Sequence, residues 1–313
     1  MAVVVLLLKR LRYIVISCRP RQWLKNLALF APAYLWGNLF EEAIFGRVVL
    51  ACLVFCLLSS AVYLFNDVSD REEDARHPLK RLRPVASGEL SPGLALAVSA
   101  ALLALVFPIA FFLSTYLFLM VLSYALLQIV YSMALRNVII IDALTIAGGF
   151  ILRVFAGALV IPVPISSWLV LSTIGLSLLL AFGKRRSERT LLSSQEALST
   201  RGALRGYPDT LLDSVISTFA AFTILSYSLF AFQTSPTVEI FPGLLPPTLA
   251  RPKWMMLTIP LVIYGVSRYL YVIYEKKEGE SPAEVLLSDR PLLLAIIIWA
   301  ILVGIITYHL GGY

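Results

Sequence analysis

Apolar residues along this chain fall in long blocks, without the one-in-two alternation of a half-buried strand. Nine such blocks stand out, at roughly 24–41, 46–66, 93–113, 115–135, 138–160, 166–183, 211–232, 254–274 and 291–310. Each approaches the ~20 residues that a helix needs to cross a ~30 Å hydrocarbon layer. Runs of helix length without alternation predict helices rather than a barrel, since either must satisfy its own backbone in lipid. The first block opens with Lys25 and Asn26, and Pro108, Pro162 and Pro164 fall near block ends, where helices tolerate them. The expectation is an all-α, polytopic membrane bundle forming a single domain over residues 1–313. Residues 1–22 are set apart as an interfacial segment. Its apolar start precedes its basic residues and no small-residue cleavage site follows, unlike a signal peptide. Lys9, Arg10 and Arg12 would lie near anionic headgroups.

Composition strengthens this picture. Of 313 residues, 59% are hydrophobic, more than a soluble core of this size can hide. The net charge of +7 suits a positive-inside bias better than nucleic-acid binding. Taken alternately, the loops divide cleanly. One set holds the N-terminal segment, 67–92, Arg136 and Asn137, 184–210 and 275–290, and with it nearly all Lys and Arg. The other holds Glu41, Glu42, the turns near 114 and 161–165, and the 233–253 loop. The basic set is expected in the cytoplasm, with the N-terminus inside, in the cell membrane. Cys18, Cys52 and Cys56 have too few ligating neighbours for a metal site and are expected to pack as free thiols.

The densest chemistry lies in FNDVSDREEDARHPLKRLRPVASG, residues 65–88. Asp67, Asp70 and Asp74 follow an i, i+3, i+7 spacing that would place three carboxylates on one face if the second span continues as a helix. Like charges so placed call for a hard cation, and Mg²⁺ favours carboxylates together with phosphate oxygens. Asn66 can add an amide oxygen. Glu72 and Glu73 fall on other faces, and His77 is open between a helix end and a phosphate contact. Lys80, Arg81 and Arg83 follow directly; Lys25, Lys184 and Arg185 close other spans at the same depth. Together they could seat phosphates, while positive-inside anchoring explains any one of them equally well. Arg153 lies inside the fifth span, about three turns from Asp142, where a charge is expected to face a polar interior. Tyr131 suits a phosphate or ribose hydroxyl as well as the interface. Glu188 suits an i,i+4 bridge to Lys184, and Asp289 suits an N-cap.

The motif Asn66-Asp67-x-x-Asp70-x-x-x-Asp74, with the basic run after it, resembles the first signature of the UbiA superfamily of membrane prenyltransferases. RPRQWLKNLALFAP (19–32), GGFILRVFAG (148–157), ISSWL (165–169) and GKRRSE (183–188) are similar to one branch, the decaprenyl-phosphate phosphoribosyltransferases. The resemblance covers most of the chain. It implies about nine helices around a central cavity open to the cytoplasm. Aromatic prenyltransferases of the superfamily carry a second acidic cluster after the fourth span. Here that segment reads YSMALRNVIIIDAL, with Tyr131, Arg136 and a single acid, Asp142. Arg136 stands where the branch commonly shows Lys.

The resemblance implies Mg²⁺-dependent transfer of 5-phosphoribosyl from phosphoribosyl diphosphate (PRPP) to a polyprenyl (decaprenyl) phosphate in cell-wall glycolipid precursor synthesis. Asp67, Asp70, Asp74 and Asn66 would form the metal-bearing catalytic group. Lys25, Lys80, Arg81, Arg83, Tyr131, Arg136, Asp142, Arg153, Lys184 and Arg185 would bind substrate. The expected partners are PRPP, polyprenyl phosphate and the bilayer, without nucleic acid; a homo-oligomer stays open. Prenyl transfer to an aromatic acceptor, and transport of phosphorylated lipids, are the alternatives.

Overall fold

The computed structural model of the chain describes residues 2–76, 80–161, 163–191, 206–236, 252–276 and 282–310. These residues form helices and turns and no strand. An N-terminal helix α1 (Ala2–Ser17) precedes a 3-10 segment (Pro20–Phe30) and the short α2 (Ala31–Trp36). The helices α3 (Glu42–Ser69), α4 (Arg71–Arg76), α5 (Pro92–Leu113), α6 (Thr115–Met133), α7 (Ile141–Val160) and α8 (Ser167–Leu191) follow. After them come α9 (Asp209–Gln233), α10 (Ile259–Tyr271), α11 (Pro282–Ser288) and α12 (Arg290–His309).

Eight stretches among the described residues are long and apolar enough to cross a membrane: α3, α5, α6, α7, α8, α9, the run 254–275 containing α10, and α12. They match the last eight expected spans. Ser91, Ser114 and Asp289 cap α5, α6 and α12 by accepting the N–H of Leu94, Leu117 and Leu292. Pro108 lies inside α5, not at its end.

The first expected span, 24–41, takes a different form. It is the 3-10 segment followed by α2, which ends at the left-handed Gly37. A 3-10 helix rises ~2.0 Å per residue against ~1.5 Å in an α-helix. Residues 20–36 therefore extend about 30 Å, the thickness of a hydrocarbon layer. The tighter coil lets a shorter segment cover that length. It packs on α3 and α7. At Gly157 of α7 the approach is so close that a Cβ would sit 2.0 Å from the Leu29 carbonyl oxygen.

Among the eight candidate spans, α3 and α7 bury the largest share of their residues and α5 and α6 the smallest. One core cluster joins Leu29, Phe55, Tyr124 and Ala156; another joins Leu179, Tyr207, Ile216 and Ile273. The two enclosed helices carry Asp67, near the end of α3, and Arg153, within α7. Cys18, Cys52 and Cys56 are free thiols.

Candidate active site

α3 stays helical to Ser69, then Asp70 departs from helical backbone (φ −94°, ψ 5°) before α4 resumes. The Asp70 N–H still donates to the Asn66 carbonyl and the Asp74 N–H to that of Asp70, both at 2.8 Å. This bend divides the three aspartates that an unbroken helix would hold on one face. Asp67 and Asp74 turn toward Arg83, whose Nη1 lies 2.5 Å from Asp74 Oδ2 and 3.5 Å from Asp67 Oδ1. Asp67 Oδ1 also accepts from Arg19. Asp70 faces the turn after α6, where Arg136 Nη1 reaches it at 2.5 Å. Glu73, expected on an outer face, takes Arg136 Nη2 at 3.1 Å. Burial works against the charge of Arg136, but Asp70 and Glu73 outweigh it and raise its hold on the proton. Asn66 Oδ1 accepts from Ser132 Oγ at 2.7 Å, which ties α3 to α6.

Among the described residues, no three acidic, His or Cys side chains gather as a ready metal cluster. The donor chemistry of Asp67 and Asp74 nevertheless fits a hard divalent cation. One guanidinium nitrogen already stands between their oxygens, where such a cation would stand.

About 12 Å deeper along α3, a second polar group surrounds Arg153. Its side chain is buried and donates to Asn26 Oδ1 (2.7 Å), the Gly149 carbonyl (2.8 Å) and Tyr124 Oη (2.8 Å), with the Tyr124 ring beneath it. No carboxylate pairs with it among the described residues. Asn26 is itself held by Cys56 and Ser59 of α3. The neighbouring Lys25 is half-buried, and the charged groups acting on it are Lys184, Arg153 and Arg19, all cations. Lys184 has an acid of its own, Glu188 at 3.7 Å, the expected i,i+4 bridge.

The third group is closed. Asp142 is fully buried and accepts from Arg185 Nε (2.6 Å), Tyr207 Oη (2.6 Å) and the Ala143 N–H (2.8 Å). Arg185 also holds Glu188 at 2.6 Å and meets Tyr131 Oη at 3.5 Å. Asp142 and Arg185, both expected at the substrate, are therefore engaged with each other. Tyr207 has no counterpart in the sequence expectations. It accepts the Ile140 N–H at 2.5 Å. Ile140 has φ 71°, an outlier for a β-branched residue. Burial first, then the bond to Asp142, push the Tyr207 phenol up, so it remains a donor.

Arg81 is exposed and Lys80 half-buried in the turn after α4; His77 lies outside the described residues, as do Arg201 and Arg205. Arg186 pairs with Asp213 (2.8 Å) and Arg189 with Asp209 (2.6 Å), in keeping with an anchoring role. Asp289 caps α12 and grips Arg268 through both oxygens at 3.0 Å. Arg19 was not anticipated as a site residue. The Arg-Pro step is the signal that could have found it: Arg19 is left-handed (φ 52°) before Pro20, a place where that backbone is disfavoured. An apolar groove of about 380 Å³ between α10 and α12, lined by Leu261, Tyr264, Leu294 and Ile298 with Arg290, has no acidic lining and stands apart from this chemistry.

Comparison with known proteins places these groups in context. The family model described as the UbiA prenyltransferase family matches residues 27–288. A decaprenyl-phosphate phosphoribosyltransferase of Corynebacterium glutamicum is 31% identical over 296 residues, covering 93% of this chain and 86% of that one. Its namesake in Mycolicibacterium smegmatis is 30% identical over 298 residues, covering 93% and 91%. A solved UbiA homolog from Archaeoglobus fulgidus, bound to GPP and Mg²⁺, superposes with a TM-score of 0.70 at 18% identity, covering 94% of this chain and 99% of that one. At that identity the likeness concerns the fold.

Proposed function

Because the chain belongs to the UbiA prenyltransferase family, as an integral membrane transferase, we propose that it moves 5-phosphoribosyl from PRPP to a polyprenyl phosphate and releases diphosphate. The relatives named for decaprenyl phosphate support the lipid class. The proposed setting is the cytoplasmic face of the cell membrane. The observation that carries the reading is the division of charge. Carboxylates sit at the end of α3, the acid of the second segment is neutralised by Arg185, and cations with no carboxylate among the described residues lie deeper.

In this reading Asp67 and Asp74 would hold Mg²⁺, which neutralises charge on the departing diphosphate. Arg19, Arg83 and Arg136 stand beside them to take phosphate oxygens in bidentate fashion. Lys25 and Arg153 would seat a further phosphate, fixing the distance between the two substrates. The bond between the anomeric carbon and diphosphate breaks, and one forms from that carbon to a lipid phosphate oxygen. The lipid phosphate is an anion near pH 7, so the chain need supply no strong base. The polyprenyl tail would lie among the apolar helix faces.

The test supplies labelled PRPP and polyprenyl phosphate to the purified protein in detergent. A labelled glycolipid with equimolar diphosphate is expected. No such product, alongside prenylation of an aromatic acceptor, would overturn the reading; unchanged substrates would favour transport.

A further inference from the structure

We propose that Arg83, with Arg19 and Arg136, forms a guanidinium latch over the carboxylates, and that metal and diphosphate open it together by giving the arginines phosphate oxygens to hold. This rests on the reading that Asp67 and Asp74 take the metal.

Three observations converge. First, each aspartate of the motif already has a guanidinium on it: Asp67 has Arg19 and Arg83, Asp74 has Arg83, and Asp70 has Arg136. Secondly, the arginines lie on the open side. Asp67 and Asp74 side chains are 2% and 4% exposed, whereas Arg19 and Arg83 are 28% and 27% exposed. A cation approaching from outside meets Arg83 before it meets either carboxylate. Thirdly, the arginines come from three separate segments: the turn before the 3-10 segment, the turn after α4, and the turn after α6. Arg19 is held there on strained left-handed backbone, with its guanidinium stacked on the Tyr63 ring 4.9 Å away.

Charge counting gives the coupling its direction. Four carboxylates (Asp67, Asp70, Glu73, Asp74) face three guanidiniums, a net charge of −1. One divalent cation turns this to +1 and a second to +3. Metal alone must therefore push Arg83 off two acids, beside Arg19, and leave its guanidinium without either carboxylate. Diphosphate supplies acceptors for the displaced guanidiniums and charge for the surplus. Metal and diphosphate must then each strengthen the other's binding by the same factor. In this scheme Arg83 is a substrate-binding residue whose two partners, carboxylate and phosphate, alternate.

The test measures Mn²⁺ binding by electron paramagnetic resonance on the full chain in detergent, with and without inorganic diphosphate. For the wild type, diphosphate is expected to lower the Mn²⁺ Kd by about tenfold or more. Arg83→Gln removes the latch's central contact, so it should bind Mn²⁺ alone about tenfold more tightly and gain less from diphosphate. Arg136→Gln should move the same way by less, because Asp70 lies apart from the Asp67–Asp74 pair, and it serves if Arg83→Gln does not fold. If Arg83→Gln binds Mn²⁺ no tighter and keeps the full diphosphate gain, while Asp67→Asn abolishes binding, the latch is refuted and the metal site stands. If Asp67→Asn and Asp74→Asn leave Mn²⁺ binding intact, the metal reading fails and takes the latch with it.

Discussion

Gly157 offers a direct test of how the 3-10 segment is held against the bundle. A Cβ at this position would lie 2.0 Å from the Leu29 carbonyl oxygen and 2.7 Å from the Leu29 carbonyl carbon. Ordinary contact requires the backbone there to retreat by more than about 1 Å. Leu29 and Asn26 are three residues apart, and in a 3-10 helix such residues lie one above the other. Asn26 therefore retreats with Leu29. Its 2.7 Å hydrogen bond from Arg153 Nε then passes beyond useful range. A hydrogen bond to a charged group contributes about 1.5–3 kcal/mol, and forced overpacking costs about 1–3 kcal/mol. Against this, Gly→Ala in a helix interior gains up to about 1 kcal/mol. The net loss for Gly157→Ala is about 2–5 kcal/mol. Gly148→Ala is the internal control, since it lies on the same helix and its Cβ would meet only Leu127 Cδ2 at an ordinary 3.5 Å. Thermal unfolding of both variants in detergent should place Gly157→Ala at least about 5 °C below Gly148→Ala. Its transfer rate should fall by at least about tenfold, because the displaced segment carries Lys25. Equal melting temperatures would refute the close approach and the placement of Lys25 and Asn26 built on it.

Asp67→Asn and Asp74→Asn should each remove nearly all transfer while the protein remains folded, and thorough chelation should do the same to the wild type; retained turnover in product assays would count against carboxylate-held metal. Lys25→Met should raise KM for the substrate whose phosphate it seats by about tenfold, a charged contact of about 1.4 kcal/mol, with a smaller effect on kcat; an unchanged KM for both substrates would remove Lys25 from the site. Tyr207→Phe leaves the buried Asp142 oxygen and the Ile140 N–H each short of a partner, so unfolding should report a loss of about 1–3 kcal/mol, and a variant as stable as wild type would show these two hydrogen bonds to be idle.

Much of the bundle was legible because apolar run length is a local property. The last eight spans, the Asp289 cap and the Lys184–Glu188 bridge all follow from spacing within one element. The 3-10 form of the first span was not legible, since the close approach of Gly157 that accompanies it involves a residue more than a hundred positions away. The aspartate motif was found by its spacing. Its division at Asp70 was not, because an i, i+3, i+7 pattern assumes an unbroken helix. Arg185 was expected at a phosphate, yet its acid lies 43 residues earlier, and only packing of α7 against α8 joins them. Tyr207 sits on a short turn with no periodic pattern around it. Its importance arises wholly from what α7 and α8 place beside it.

The balance of these groups bears on which reaction the fold serves. Prenyl transfer to an aromatic acceptor brings one strongly charged substrate, so carboxylates with their metal suffice to hold it. In this chain the acid of the second segment is cancelled by Arg185, and nothing is left over there for a cation. Lys25 and Arg153 meanwhile have no carboxylate among the described residues, and the charges acting on Lys25 are those of Lys184, Arg153 and Arg19. Like charges held together away from bulk water repel one another. A membrane bundle that keeps such repulsion at its centre gains from it only when an anion arrives, because the repulsion then becomes attraction for the ligand. A diphosphate held at the carboxylates leaves these deeper cations unused. A reaction with a further phosphate, on the ribose or on the lipid, would employ both groups at once, as the proposed phosphoribosyl transfer does.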